Sequence, residues 1–164
     1  YHVASEPDSP GPWPFASLFV ARAYLEAGEP DRVWRVLRWL DTLPGAASGC
    51  WFEFYGPRPI PPYPQIGVVP WTWAEMLLLL VHHVVGFRPE GENLHWRPRL
   101  LPGMHRISGE IPLRKTRIRF EIHRARDGEK TGLWLGEKFW PYLKQGMTLP
   151  TPGADAQISI VVPA

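Results

Sequence analysis

In the run Trp51-Phe52-Glu53-Phe54-Tyr55 one carboxylate, Glu53, sits among four aromatic side chains. Such neighbours strip water from a carboxylate and raise its pKa, the condition under which it exchanges protons near neutral pH. The same rings offer flat apolar faces on which a sugar ring can stack. A proline-rich segment at 57–64 then leads to Pro70-Trp71-Thr72-Trp73-Ala74-Glu75-Met76, which reads as the start of a helix. Trp71 and Trp73 cannot both face one direction on a helix, so one is a candidate subsite wall, with core contact the default for either. Glu75 is open to two readings, lining a pocket or complementing the positive end of its helix. Trp13 and Tyr55 are rim candidates because they sit at loop and helix starts. On residue type alone Glu53 has a plainer reading too, an exposed carboxylate on a packed aromatic loop.

Other reactive residues offer less. His82 and His83 are adjacent on a helix, so their rings diverge by about 100° and cannot chelate one metal in the i, i+4 manner. Satisfied core or interface histidines are expected, and no metal or cofactor is. Cys50 is the single cysteine, which rules out an internal disulfide and leaves the compartment open. There is no Gly-rich phosphate loop and no nucleophile elbow. Glu6 and Asp8 are minor acid candidates. The basic run Arg114, Lys115, Arg117, Arg119, Arg124, Arg126 is interleaved with Glu121, Asp127 and Glu129, as on a solvated strand face, and does not read as a nucleic-acid site.

The elements that position these residues follow from periodicity. Residues 13–27 are almost continuously apolar, with Pro14 where a first-turn proline is tolerated and Gly28 as the stop, and predict a mostly buried helix. At 30–43 the apolar residues Val33, Val36, Leu37, Leu40 and Leu43 share one stripe, which predicts a half-exposed helix antiparallel to the first. A long loop at 44–69 is a functional candidate by its length. The helix expected at 71–85 is apolar on nearly every face and ends at Gly86. It is too short and too acidic at its start to span a membrane, which needs about 20 apolar residues. From Gly86 the period becomes two, with antiparallel strands expected at 93–97, 104–113, 115–124, 131–135, 139–143 and 156–162.

Composition agrees with a folded chain of 164 residues: 45% hydrophobic and near charge balance at +2, which provides no strong field for nucleic acid or anionic membrane. The 20 prolines and nine tryptophans accompany high hydrophobicity, so proline marks stiff loops and not disorder. The expected class is α+β: a helical domain at 1–86 and a small antiparallel β-sandwich at 87–164.

Taken in order, the helical hairpin, the aromatic loop, the helix opening PWTWAEM and the segment Gly86-Phe87-Arg88-Pro89 followed by Leu94, Trp96, Pro98 and Leu101-Pro102 resemble the C-terminal part of six-hairpin (α/α)6-barrel glycosidases. That group includes glucoamylase-like, rhamnosidase-like and disaccharide-phosphorylase enzymes. The resemblance implies the final helices of an (α/α)6 toroid, with the rest of the barrel upstream of Tyr1 and a carbohydrate as partner. It implies an inverting glycoside hydrolase in which the loop before the last inner helix carries the general base, by position Glu53. Trp13, Trp51, Tyr55, Trp71 and Glu75 would then line the sugar site, and the general acid would lie outside this chain. In the phosphorylase branch phosphate replaces the base and Glu53 loses that role. A non-catalytic carbohydrate-binding or protein-interaction module is the alternative from a different class.

Overall fold

Pro14 and Pro30 each open a helix, where the missing N–H costs no hydrogen bond. In the computed structural model, which describes residues 12–55 and 69–164, these are α1 (Pro14–Glu26) and α2 (Pro30–Thr42). The chain divides into two compact units between Leu79 and Leu80, earlier than the Gly86 boundary expected. Its described residues form three α-helices and eight strands in two sheets, an α+β chain. Glu6, Asp8 and the proline cluster at 57–64 lie outside the described residues.

In the first unit α1 buries Pro14, Leu18, Ala21 and Leu25, a stripe at helical spacing. Helix α2 buries Val33 and Leu40 and turns its charged face outward, with Asp31 in its first turn. The two pack as a hairpin, and α3 (Pro70–Leu77) packs on α1. Two expectations change here. Helix α1 is not buried all round, since Phe19 and Val20 are exposed. Helix α3 is inverted: its buried residues are Thr72 and Glu75, whereas Trp71, Trp73 and Leu77 are exposed. The cause is local, because α1 covers the face of α3 that carries the polar pair. A large apolar side chain left wholly in water forgoes about 1.5–3 kcal/mol, and these, about half exposed, forgo roughly half of that.

The segment Leu78–Val84 winds as a π-helix, closed by Val85 N–H donating to Leu80 O at 2.8 Å. Two arginines cap its carbonyl end. Arg88 Nε donates to His82 O at 3.0 Å and Arg99 Nε to His83 O at 3.2 Å, placing positive charge at the negative pole of the helix. Both guanidinium groups also reach His83 Nδ1, at 3.1 and 3.3 Å, so that nitrogen accepts and the ring proton sits on Nε2. The pKa of His82 is lowered, first by burial and then by Arg88. The histidine pair thus belongs to a helix end. Gly86 follows with φ +76°, and a Cβ there would stand 2.1 Å from the backbone of Arg97.

The second unit is a β-sandwich. One sheet has the order β1 (Phe87–Glu90), β2 (Asn93–Trp96), β7 (Met147–Pro150). The other has the order β3 (Arg106–Leu113), β4 (Thr116–Arg124), β8 (Ala156–Val162), β5 (Gly132–Leu135), β6 (Lys138–Pro141). Side chains from both sheets share one core, with Trp96 against Phe87 at 5.0 Å and Phe120 at 5.7 Å. Two strands were not expected, β1 and β7. They contain Pro89 and Pro150, which read as turn residues, and both are edge strands, where a missing N–H is tolerated. The expected all-antiparallel pairing is also corrected: β4 pairs antiparallel with β3 but parallel with β8.

The basic run is largely spent on these strands. Arg119 pairs with Glu110 at 2.9 Å and Arg114 with Glu92 at 3.4 Å, while Arg124 donates to Leu100 O and Met104 O; Arg106, outside the run, pairs with Glu121 at 2.9 Å. Such exposed pairs add little stability but neutralise the face. Among the described residues no helix is long and apolar enough to cross a membrane.

Gly86→Ala is expected to lower the unfolding free energy by about 2 kcal/mol or more, because the left-handed backbone and the Arg97 contact both oppose a Cβ. Urea denaturation of the full chain, followed by far-UV circular dichroism, measures it; an unchanged midpoint would refute the requirement.

Candidate functional site

The loop after α2 begins at Leu43, makes one 3-10 turn at Ala46–Ser48, and passes Gly49 at φ +66°. A Cβ at Gly49 would fall 2.7 Å from the Trp73 ring, so glycine lets the indole close over the loop. Trp73 Nε1 donates to Gly49 O at 2.7 Å, and its ring leans on Trp51 at 5.1 Å. Trp51 is buried and donates to Leu40 O at 3.0 Å. Tyr55 is buried as well: its hydroxyl donates to Pro44 O at 2.8 Å and accepts from Phe52 N–H at 3.1 Å. Every polar handle of these aromatics is therefore spent on the chain itself.

Main-chain bonds join this loop to both neighbouring helix starts. Tyr55 N–H donates to Pro12 O at 3.1 Å, just before α1, and Val69 N–H to Trp51 O at 3.4 Å, just before α3. Trp13, the residue that precedes α1, stacks on Phe54 at 5.9 Å with a 25° interplanar angle. The starts of α1 and α3 thus lie at one end of the unit with the loop across them. Glu53 is half-buried between Phe52 and Phe54, and among the described residues its carboxylate has no ion pair or hydrogen bond.

The residues expected at a sugar site do not stay together. Glu53 lies on the loop, and Trp13, just before α1, stacks on its neighbour Phe54, a ring the sequence did not single out. Trp71 is 40% exposed, and Trp73 42%, so neither takes the core position that was the default for both. Trp51 and Tyr55, expected as walls, are buried supports that hold the loop.

Glu75 does neither of the things expected of it. It is 2% exposed, and its Oε1 lies 3.3 Å from Arg22 Nε on α1, an ion pair without hydrogen-bond alignment. Arg22 is a quarter exposed and lies over the Phe19 ring at 4.4 Å. Burial pushes the Glu75 pKa up, and the attraction of Arg22 offsets part of that. One turn earlier, Thr72 Oγ1 is also buried, without a partner among the described residues. Sequence reasoning missed this seam because it read Glu75 as lining a pocket or complementing its helix dipole and gave Thr72 no role. The signal was available: Thr72, Glu75 and Leu79 are spaced i, i+3, i+7, one helical face.

Cys50 is half-buried, with Sγ 3.5 Å from Ser48 O. Among the described residues no group of three His, Cys, Asp or Glu could hold a metal ion. No protein-family model matches this chain, and no curated protein matches it.

Arg22→Ala is expected to destabilise the chain by about 3 kcal/mol, since it strands a buried carboxylate, and Glu75→Gln by less, since the partly exposed Arg22 keeps access to water. The pH dependence has a definite sign. The folded pKa of Glu75 lies above 4.5, so the fold takes up its proton before the unfolded chain does. The penalty for the buried charge is present above the folded pKa and is relieved as pH falls through it towards 4.5. Urea midpoints of the parent and Glu75→Gln, compared at pH 7 and pH 5, should show the parent gaining on the variant at the lower pH. A constant difference refutes the assignment.

Proposed function

We propose that this chain is the C-terminal portion of an inverting glycoside hydrolase built on an (α/α)6 toroid, with Glu53 as general base. The observation that carries this reading is the support given to Glu53. A half-buried carboxylate sits on a loop tied by main-chain hydrogen bonds to the starts of two helices, and Trp13, Phe54 and the exposed Trp71 supply aromatic faces in the same elements. A base on so constrained a loop keeps its position against a bound ring.

The outward faces of α1 and α3 support the architectural half. Phe19, Val20, Trp71, Leu77 and Leu78 are exposed on helices whose polar pair points inward. Helices with apolar residues on the outside need neighbours, as those of a toroid have.

In the reaction so read, Glu53 takes a proton from a water molecule as the water oxygen attacks the anomeric carbon. The glycosidic C–O bond breaks with its electron pair moving to the leaving oxygen, and a second carboxyl group, protonated beforehand, delivers the proton that the oxygen needs and is left as a carboxylate. The two carboxylates of an inverting site stand about 6.5–9.5 Å apart to admit that water. Glu75 is unsuited to be the second, because it is sealed in the α1–α3 seam beside Arg22; the acid comes from another hairpin of the toroid. Trp51 and Tyr55 act through the loop, as positioning residues.

In the full-length protein, Glu53→Gln should lower kcat by about 10²–10⁴-fold while substrate affinity stays within a few-fold, as general-base loss requires. Steady-state hydrolysis of an oligosaccharide substrate, with calorimetric binding to the variant, tests it. A Glu53→Gln enzyme that retains most of its turnover refutes the assignment.

A further inference from the structure

The five-stranded sheet of the second unit carries a row of outward residues whose order is fixed by register. Phe139 of β6 stands opposite Trp134 of β5, Trp134 opposite Ser159 of β8, Ser159 opposite Glu121 of β4, and Glu121 opposite Ser108 of β3. Their chain neighbours Leu133, Trp140, Ile160, Ile122 and Ile107 turn the other way, into or against the sandwich core. With neighbouring strands about 4.8 Å apart, the row is about 19 Å long and crosses the strands.

One end of the row is aromatic. The Trp134 and Phe139 rings lie 4.7 Å apart at a 47° tilt, and the Lys130 ammonium sits 3.7 Å from the centroid of Phe139. The other end carries hydroxyl and carboxylate. Around the row, Glu121 is paired with Arg106 and Glu110 with Arg119, and the Glu129 carboxylate accepts hydrogen bonds from His123 Nε2 at 3.0 Å and the Arg126 backbone N–H at 2.9 Å. A face so balanced sets up no field for a phosphate backbone or a strongly charged peptide. It suits a neutral molecule with one flat apolar face and a rim of hydroxyls, which is the chemistry of a pyranose.

We propose that this face of the second unit binds a neutral oligosaccharide, with Trp134 as the stacking platform and Ser159 and Glu121 as hydrogen-bond partners. The chain of sugars runs across the strands, along the row. The ring C–H face packs on the indole, and hydroxyls donate to the Glu121 carboxylate or exchange hydrogen bonds with Ser159. This surface is carried by the second unit, whereas Glu53 belongs to the first, and it stands without the hydrolase reading.

Isothermal titration of the full chain with cellohexaose, xylohexaose, maltohexaose and mannohexaose tests it. Saturable binding of at least one is expected. Trp134→Leu, which keeps an apolar residue on the strand, should weaken it about tenfold or more, a loss of about 1.4 kcal/mol, and Trp134→Tyr should restore most of it. Ser159→Ala, a change too small to unfold a strand, should weaken the same binding several-fold, so the idea stays testable if Trp134→Leu misfolds. Three results would overturn it: no member of the panel binding at millimolar concentration, affinity lost in Glu53→Gln but kept in Trp134→Leu, or Trp134→Leu converting a dimer to a monomer in size-exclusion chromatography. Hydrolysis does not enter the measurement, so its failure and that of the Glu53 reading are distinguishable.

Discussion

The first unit depends on one contact between unlike charges, Arg22 of α1 and Glu75 of α3. A buried carboxylate is costly, and a pair such as this returns little net stability compared with apolar packing. What it does impose is orientation. With Glu75 and Thr72 committed to the α1 side, helical geometry leaves Trp73 and Leu77 no choice but the opposite side. The position of Trp73 then sets the loop, since its indole closes on Gly49 and leans on Trp51. A single polar seam between two helices is thereby linked, contact by contact, to the placement of Glu53.

The two units solve the same problem in opposite ways. The β-sandwich encloses Trp96, Leu94, Ile118, Ile122, Leu133 and Ile160 between its sheets, with no charged side chain among them and the Trp96 indole N–H as an enclosed polar atom. The helical unit puts a charge pair inside and leaves indoles outside. Its aromatic loop gains rigidity by a third route: Trp51, Trp73 and Tyr55 each use one polar atom to donate to a backbone carbonyl, of Leu40, Gly49 and Pro44 in turn. That makes a stiff platform of the described residues 43–55, whose regular structure is one 3-10 turn.

Much of this was legible in the sequence, and the exceptions have physical causes. Helix starts at Pro14, Pro30 and Pro70, the stop at Gly86 and the strand at 116–124 followed from local chemistry and period. Strands β1 and β7 were hidden by Pro89 and Pro150, because a proline speaks for a turn unless one knows the strand is at an edge. The parallel β4–β8 pairing is non-local, and no pattern within either strand reveals it. At the site, residue types marked the Glu53 loop, but burial divided its aromatics: Trp51 and Tyr55 went inside while Trp71 stayed out. Composition ranks these rings alike; only the carbonyls of Leu40 and Pro44 tell them apart.

The position of β8 carries a consequence for how the second unit comes to fold. It is the last along the chain of the eight strands among the described residues, yet it lies at the centre of its sheet, between β4 and β5. Until it arrives, β3–β4 and β5–β6 are two separate hairpins with unpaired inner edges, each marginal alone. The sheet therefore cannot grow strand by strand as synthesis proceeds. It closes in one late step, when β8 inserts between two waiting edges and joins Ile118 to Ala156 across a long loop of chain. Slow, cooperative closure with exposed strand edges beforehand is the kinetic signature this order of strands imposes.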